Sequence, residues 1–199
     1  MPNHVTTIVQ AAPKVLQRIL SVEDGEQAVN FKTIIPMPDT VFQGELSSED
    51  EQKYPGDLNW YDWSINHWGT KWNAYETVII DDDKLSFQTA WSAPWPIFEE
   101  WSRQCPEEVM TIAFADEDLG SNLGMFQMKD GVIVKDSGIQ NQDDAVRREF
   151  ASYLIFGSSY EDVCSDYDAD DSIGLDGLKA LPDCNPQRII DLRGSSITD

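Results

Sequence analysis

The sequence predicts an α+β domain in which helices pack on one face of an antiparallel sheet. Segments of period-two alternation are interleaved with segments of helical periodicity. Short turn signals separate them, Asp130-Gly131 being the clearest hairpin signal. All seven tryptophans fall between Trp60 and Trp101, which locates the core.

The elements follow in order. Residues 4–10 set Val5, Thr7 and Val9 against Thr6, Ile8 and Gln10, a first strand. A helix opens at Pro13, with Val15, Leu16, Ile19 and Leu20 on one stripe, and Asp24-Gly25 is expected to break it. Residues 29–35 read as a second strand, closed by Pro36 and Pro38 because proline lacks the ladder donor. The polar stretch 43–57 reads as a surface loop or a short polar helix. Trp60, Trp63, His67 and Trp68 share one helical face, with Gly69 as the stop. Residues 75–80 and 85–90 form a hairpin around Asp81, Asp82 and Asp83. Residues 94–105 form a helix with Trp95, Phe98 and Trp101 on a shared face. Strands at 109–114, 124–129 and 132–135 follow, then a helix at 143–156. That order fits a ferredoxin-like sheet.

Two regions are expected: a ferredoxin-like domain over residues 1–135 and an acidic C-terminal extension over 136–199. The aromatics of the extension, Phe150, Tyr153, Phe156, Tyr160 and Tyr167, suffice to dock the helix at 143–156. Beyond Tyr167 little remains to bury, so removal of residues 162–199 is expected to leave melting unchanged. That stretch reads equally as a recognition surface or as a poorly ordered acidic tail.

Composition narrows the partners. The 199 residues carry 36 acidic against 14 basic side chains, a formal net charge of −22. The excess is −13 up to Lys135 and −9 after it, so the field is global and not a tail. Such a field repels nucleic acid and anionic membrane and favours basic partners; it also serves solubility. Three cysteines without a CxxC pair, and an N-terminus with neither a basic nor an apolar leader region, point to the cytosol. No stretch approaches the roughly 18 apolar residues of a membrane span.

Several strings carry a resemblance: Met1-Pro-Asn-His-Val, Phe31-Lys-Thr-Ile-Ile-Pro-Met-Pro38, Asn59-Trp-Tyr-Asp-Trp63, Asn66-His-Trp-Gly-Thr-Lys-Trp-Asn-Ala74 and Phe87-Gln-Thr-Ala-Trp-Ser-Ala-Pro94. Phe114-Ala-Asp-Glu117 and Gly120 continue the pattern. Over residues 1–135 the chain resembles the YubB-type ferredoxin-like family, found on phages, prophages and plasmids of bacteria. The resemblance implies the fold and a mobile-element accessory protein in the host bacterial cytosol. It brings no catalytic residue and no cofactor, and it does not extend to residues 136–199.

Candidate chemistry is sparse. Asp62, His67, Lys71 and Asn73 are the polar groups among the tryptophans, and a Trp-lined ligand or enzyme pocket around them would have His67 as its general base. The string from Asn66 to Trp72 reads equally as structure: Gly69 caps the helix, Thr70 and Lys71 turn the chain, and Trp68 and Trp72 fill the core. His4 is the only other histidine, and a zinc site needs three or four ligands. Asp166, Asp168 and Asp170 imitate the start of a calcium loop, but Asp171 stands where glycine is required and Gly177 where glutamate is. Asp81, Asp82 and Asp83 read as a turn before they read as a metal site. No GxSxG or phosphate-cradling loop occurs. The expected function is therefore non-enzymatic and cofactor-free: binding of a host or competing protein with a basic surface. The acidic exterior could serve there as a nucleic-acid mimic against host defence.

Overall fold

The computed structural model describes residues 3–23, 25–165 and 184–193. Its main sheet has six strands in the order β4-β5-β1-β6-β7-β8, every neighbouring pair antiparallel. Strand β1 (His4–Gln10) lies between β5 (Lys84–Ala90) and β6 (Met110–Asp116), with Thr7 opposite both Phe87 and Phe114. Helix α1 (Pro13–Ile19) follows β1, the hairpin of β4 (Tyr75–Asp81) and β5 comes next, and α4 (Trp95–Arg103) leads into β6. Those elements are the split βαβ pair of a ferredoxin-like fold. Strands β7 (Gly124–Lys129) and β8 (Val132–Asp136) extend the sheet as a meander. Asp130 and Gly131 turn between them with φ of 52° and 73°, the left-handed pair that a two-residue hairpin needs.

The alternation of β1 sorts the core. Val5 and Val9 face a layer built by α1, α4 and α3 (Trp60–Trp68), where Phe31, Trp63, Trp68, Phe98 and Trp101 are buried. Asn59 caps α3 by accepting from the Asp62 amide, and Gly69 ends it at φ 77°. The polar stretch before it contains α2 (Ser48–Lys53), started by a Ser47–Asp50 capping box.

The chain after α1 departs from the sequence reading. The helix stops at Ile19, and β2 (Leu20–Glu23) pairs with β3 (Glu26–Val29) in a separate hairpin through Gly25 at φ 89°. The strand expected over residues 29–35 is a correction: Phe31–Thr33 is a 3-10 turn. Asn30 initiates it by accepting from the Lys32 amide, while the Phe31 amide donates to Asn73 Oδ1 at 2.8 Å. This curl drops Phe31 edge-on against Trp68 and Phe87, each 5.8 Å away.

The other face of the sheet carries the C-terminal part. Ile8, Ala113, Ala115 and Met125 point away from the first layer and meet Phe150, Ala151 and Leu154 of α5 (Asp144–Phe156). Helix α6 (Tyr160–Cys164) follows, and α7 (Pro186–Arg193) adds Ile189 and Leu192, with Cys184 just before it. The expectation that little beyond Tyr167 could be buried is thus overturned for residues 184–193. Aliphatic side chains close this layer where no aromatic is present.

Glu149 gives this second layer a pH dependence. It is 1% exposed and accepts the Tyr160 amide at 2.8 Å, and among the described residues its Oε1 has no hydrogen-bond partner. Burial raises its pKa, against the Tyr160 N–H and with the help of Asp162 and Glu161. A carboxyl raised in the folded state contributes stability in full below its unfolded pKa, about 4.3, and loses it as pH rises through the folded pKa. Glu149→Gln keeps the acceptor without the charge. Urea melts from pH 4 to 8 should therefore show the variant gaining on the parent as pH rises, then running parallel.

Candidate functional site

The residues singled out among the tryptophans do not converge on one pocket. Asp62 and Asn59 bond each other reciprocally at the start of α3, both at 2.9 Å. His67 stacks on Trp63 at 4.5 Å and meets Asp57 at 3.1 Å. Asn66 also donates to Asp57, and the two partners hold the Asp57 carboxyl below its usual pKa. Asn73 is used by the Phe31 amide and by Asn30. Three of the four thus hold local structure. Lys71 alone faces outward into aromatic rings.

The acidic hairpin tip is likewise self-engaged. Asp81 accepts from the Asp82 amide, and Asp83 accepts from the Gln10 side chain and the Ala11 amide. Asp82 is exposed. Asp166, Asp168, Asp170 and Asp171 lie outside the described residues. Among the described residues, no group of three or more His, Cys, Asp or Glu is placed to hold a metal ion. Among them, too, no helix is long and apolar enough to cross a membrane.

A concavity that the sequence reading missed lies on the second face of the sheet. Among the described residues, α5 and α7 cover β1 and β6 there but not β4 and β5, which leaves a groove of about 1040 Å³. Thr6, Ser86 and Gln88 form a polar floor. Ile8, Ile80, Leu154 and Ile155 supply apolar surface, and Glu76 and Asp81 lie along β4. Arg193 lines it as well, its guanidinium donating to the carbonyls of Leu154 and Ile155 and so tying α7 to the end of α5.

His4 and Tyr75 meet at one end of this groove, His4 Nδ1 lying 2.6 Å from the phenol oxygen. The phenol oxygen also lies 3.2 Å from the Thr89 carbonyl, so its one proton serves His4 Nδ1 or that carbonyl according to the His4 tautomer. Burial, then Glu117 and Glu76, raise the Tyr75 pKa, so the phenol stays protonated and acts as a hydrogen-bonding group, not a nucleophile. The pair is 71 residues apart in sequence and is joined only by register, with His4 opposite Ala90 and Tyr75 opposite Gln88. One signal was present: Thr6 and Gln10 alternate with the apolar residues of β1, as on a face only partly covered.

Comparison with known proteins speaks to the fold. Residues 67–155 match the family model described as a ferredoxin-like domain in Api92-like protein. The match reaches into α5 and omits β1, the central strand of the sheet. A crystal structure of the protein Api92 from Yersinia pseudotuberculosis is similar at 18% identity and a TM-score of 0.38, over 55% of this chain and 40% of that one. No curated protein matches the chain. The segment from His67 to Ile155 is thus similar to the ferredoxin-like domain of Api92-like proteins, and the chain has the α+β fold that the order of its elements predicted.

Proposed function

We propose that this chain acts by binding another protein: a mobile-element accessory factor of the YubB-type kind, working in the host cytosol on a basic segment of a host or competing protein. The observation that carries the reading is the sheet groove, uncovered among the described residues, with Glu76 and Asp81 on its β4 side, in a chain of net charge −22. Its volume is at the upper end of small-ligand pockets, which suits an extended segment better than a metabolite. Thr6, Ser86 and Gln88 can satisfy a visiting backbone, Leu154 and Ile155 can hold an apolar side chain, and the two carboxylates can meet cationic ones. The acidic field steers a basic partner and takes the place of the nucleic acid that the partner would otherwise hold.

The test is capture from bacterial lysate at low and high salt, with the parent and with the double variant Glu76→Lys, Asp81→Lys. A stoichiometric partner held at about 50 mM salt should be released several-fold by about 500 mM, where the screening length has fallen well below 10 Å. The double variant should lose it at low salt. Recovery of no stoichiometric partner, or of one indifferent to both changes, would reject the reading.

A further inference from the structure

A second surface feature, on α3 and the two loops that flank β4 and β5, has a more specific chemistry. The Lys71 ammonium sits 4.6 Å from the Trp72 ring centroid, 4.8 Å from that of Trp91 and 5.9 Å from that of Tyr61. Tyr61 and Trp91 meet edge-on at 6.4 Å, so the rings form a box with a cation inside. Among the described residues Lys71 pairs with no carboxylate, although acidic side chains outnumber basic ones 36 to 14.

Trp91 is held in place at a conformational cost. It is 43% exposed with φ of 70°, a left-handed conformation that a bulky residue adopts only under constraint. The constraint is visible. The Trp91 amide donates to the Asn3 carbonyl at 2.9 Å, and its own carbonyl accepts from Asn122 at 3.0 Å. Asp116, 4% exposed, accepts from both asparagine side chains at 3.2 Å and so fixes the clamp. A strained backbone that presents an aromatic ring to solvent serves no packing purpose in the core.

We propose that Tyr61, Trp72 and Trp91 form a binding box for a quaternary ammonium group, closed in this structure by Lys71 acting as its internal occupant. Ring faces attract a cation through their quadrupoles, and three of them converge here. Among the described residues the box offers ring carbons and no carboxylate, so the three N–H donors of Lys71 have no protein partner there. A fully alkylated ammonium has no donor to leave unsatisfied and is the better guest, once Lys71 swings out on its flexible stem. The net charge of −22 adds a general attraction for any cation, against which specificity must be measured.

Tryptophan fluorescence of the full chain, titrated with tetramethylammonium chloride against sodium chloride at equal ionic strength, provides the test. Saturable binding in the millimolar range is expected for tetramethylammonium alone. Lys71→Met, which keeps an unbranched apolar stem and removes the competitor, should tighten it about tenfold. Trp91→Ala should abolish binding, and Tyr61→Leu should weaken it severalfold if the Trp91 variant proves unstable. Free trimethyl-lysine and phosphocholine then separate the two sources of the group, a modified side chain or a lipid headgroup. Equal responses to sodium and tetramethylammonium, or no tightening in Lys71→Met, would overturn the assignment. The box is read by tetramethylammonium fluorescence and the groove by salt-dependent capture, so failure here and failure of the groove reading are separable.

Discussion

Truncating Trp101 to alanine is expected to cost about 3–5 kcal/mol, the largest single-residue effect in the first layer. Trp101 is fully buried on α4, and its indole N–H donates to the Val15 carbonyl of α1 at 2.9 Å. Those two residues are 86 positions apart, so one side chain both fills the layer and ties its two principal helices together. Trp101→Phe separates the contributions. It keeps most of the ring and leaves the Val15 carbonyl without its indole donor, so its cost should be well below that of alanine, with about 1 kcal/mol from the hydrogen bond. Urea denaturation of the three proteins checks this. An alanine variant within about 1 kcal/mol of the parent would mean that α1 and α4 are not anchored through this contact.

Ile189→Ala and Leu192→Ala should each lower stability by about 2–5 kcal/mol, although both lie past residue 162. For a chain of this size that is a fall in melting temperature of roughly 4–20 °C. The reasoning is geometric. Ile189 is 0% and Leu192 3% exposed, in the cluster with Ile8, Phe150 and Leu154, and α7 sits directly on β1. Cys184 is also fully buried there. Deleting residues 162–199 should therefore lower the melting temperature, the reverse of what the residue pattern alone suggested. A deletion that melts like the parent would show that α7 contributes nothing to the second layer, and scanning calorimetry would decide it directly.

The elements that the sequence determined by itself are those whose signals are local. Asp130-Gly131 specified its hairpin because two adjacent left-handed residues fit only that turn. Gly69 bounded the end of α3 because a left-handed stop acts within one helical turn. The alternation along β1 and the tryptophan spacing then sufficed for the sheet and its first layer. What failed was nonlocal. Asn30 caps the 3-10 turn locally, but the Phe31 amide finds its acceptor in Asn73, 42 residues away. Helix α7 is held by strand β1 nearly the whole chain earlier, and no window of residues around Ile189 reveals that contact.

The candidate sites divide along the same line. The residue types around Lys71 were visible in the string from Asn66 to Ala74, but Tyr61 and Trp91 reach that cation only once α3 and the loop after β5 are folded together. His4 and Tyr75 have no sequence relation at all, and strand register alone joins them. Among the described residues, the groove they border lies where α5 and α7 stop short of β4 and β5. Local backbone chemistry therefore determined which elements form, whereas the space between them was decided by tertiary packing, since a cavity belongs to no segment of the chain.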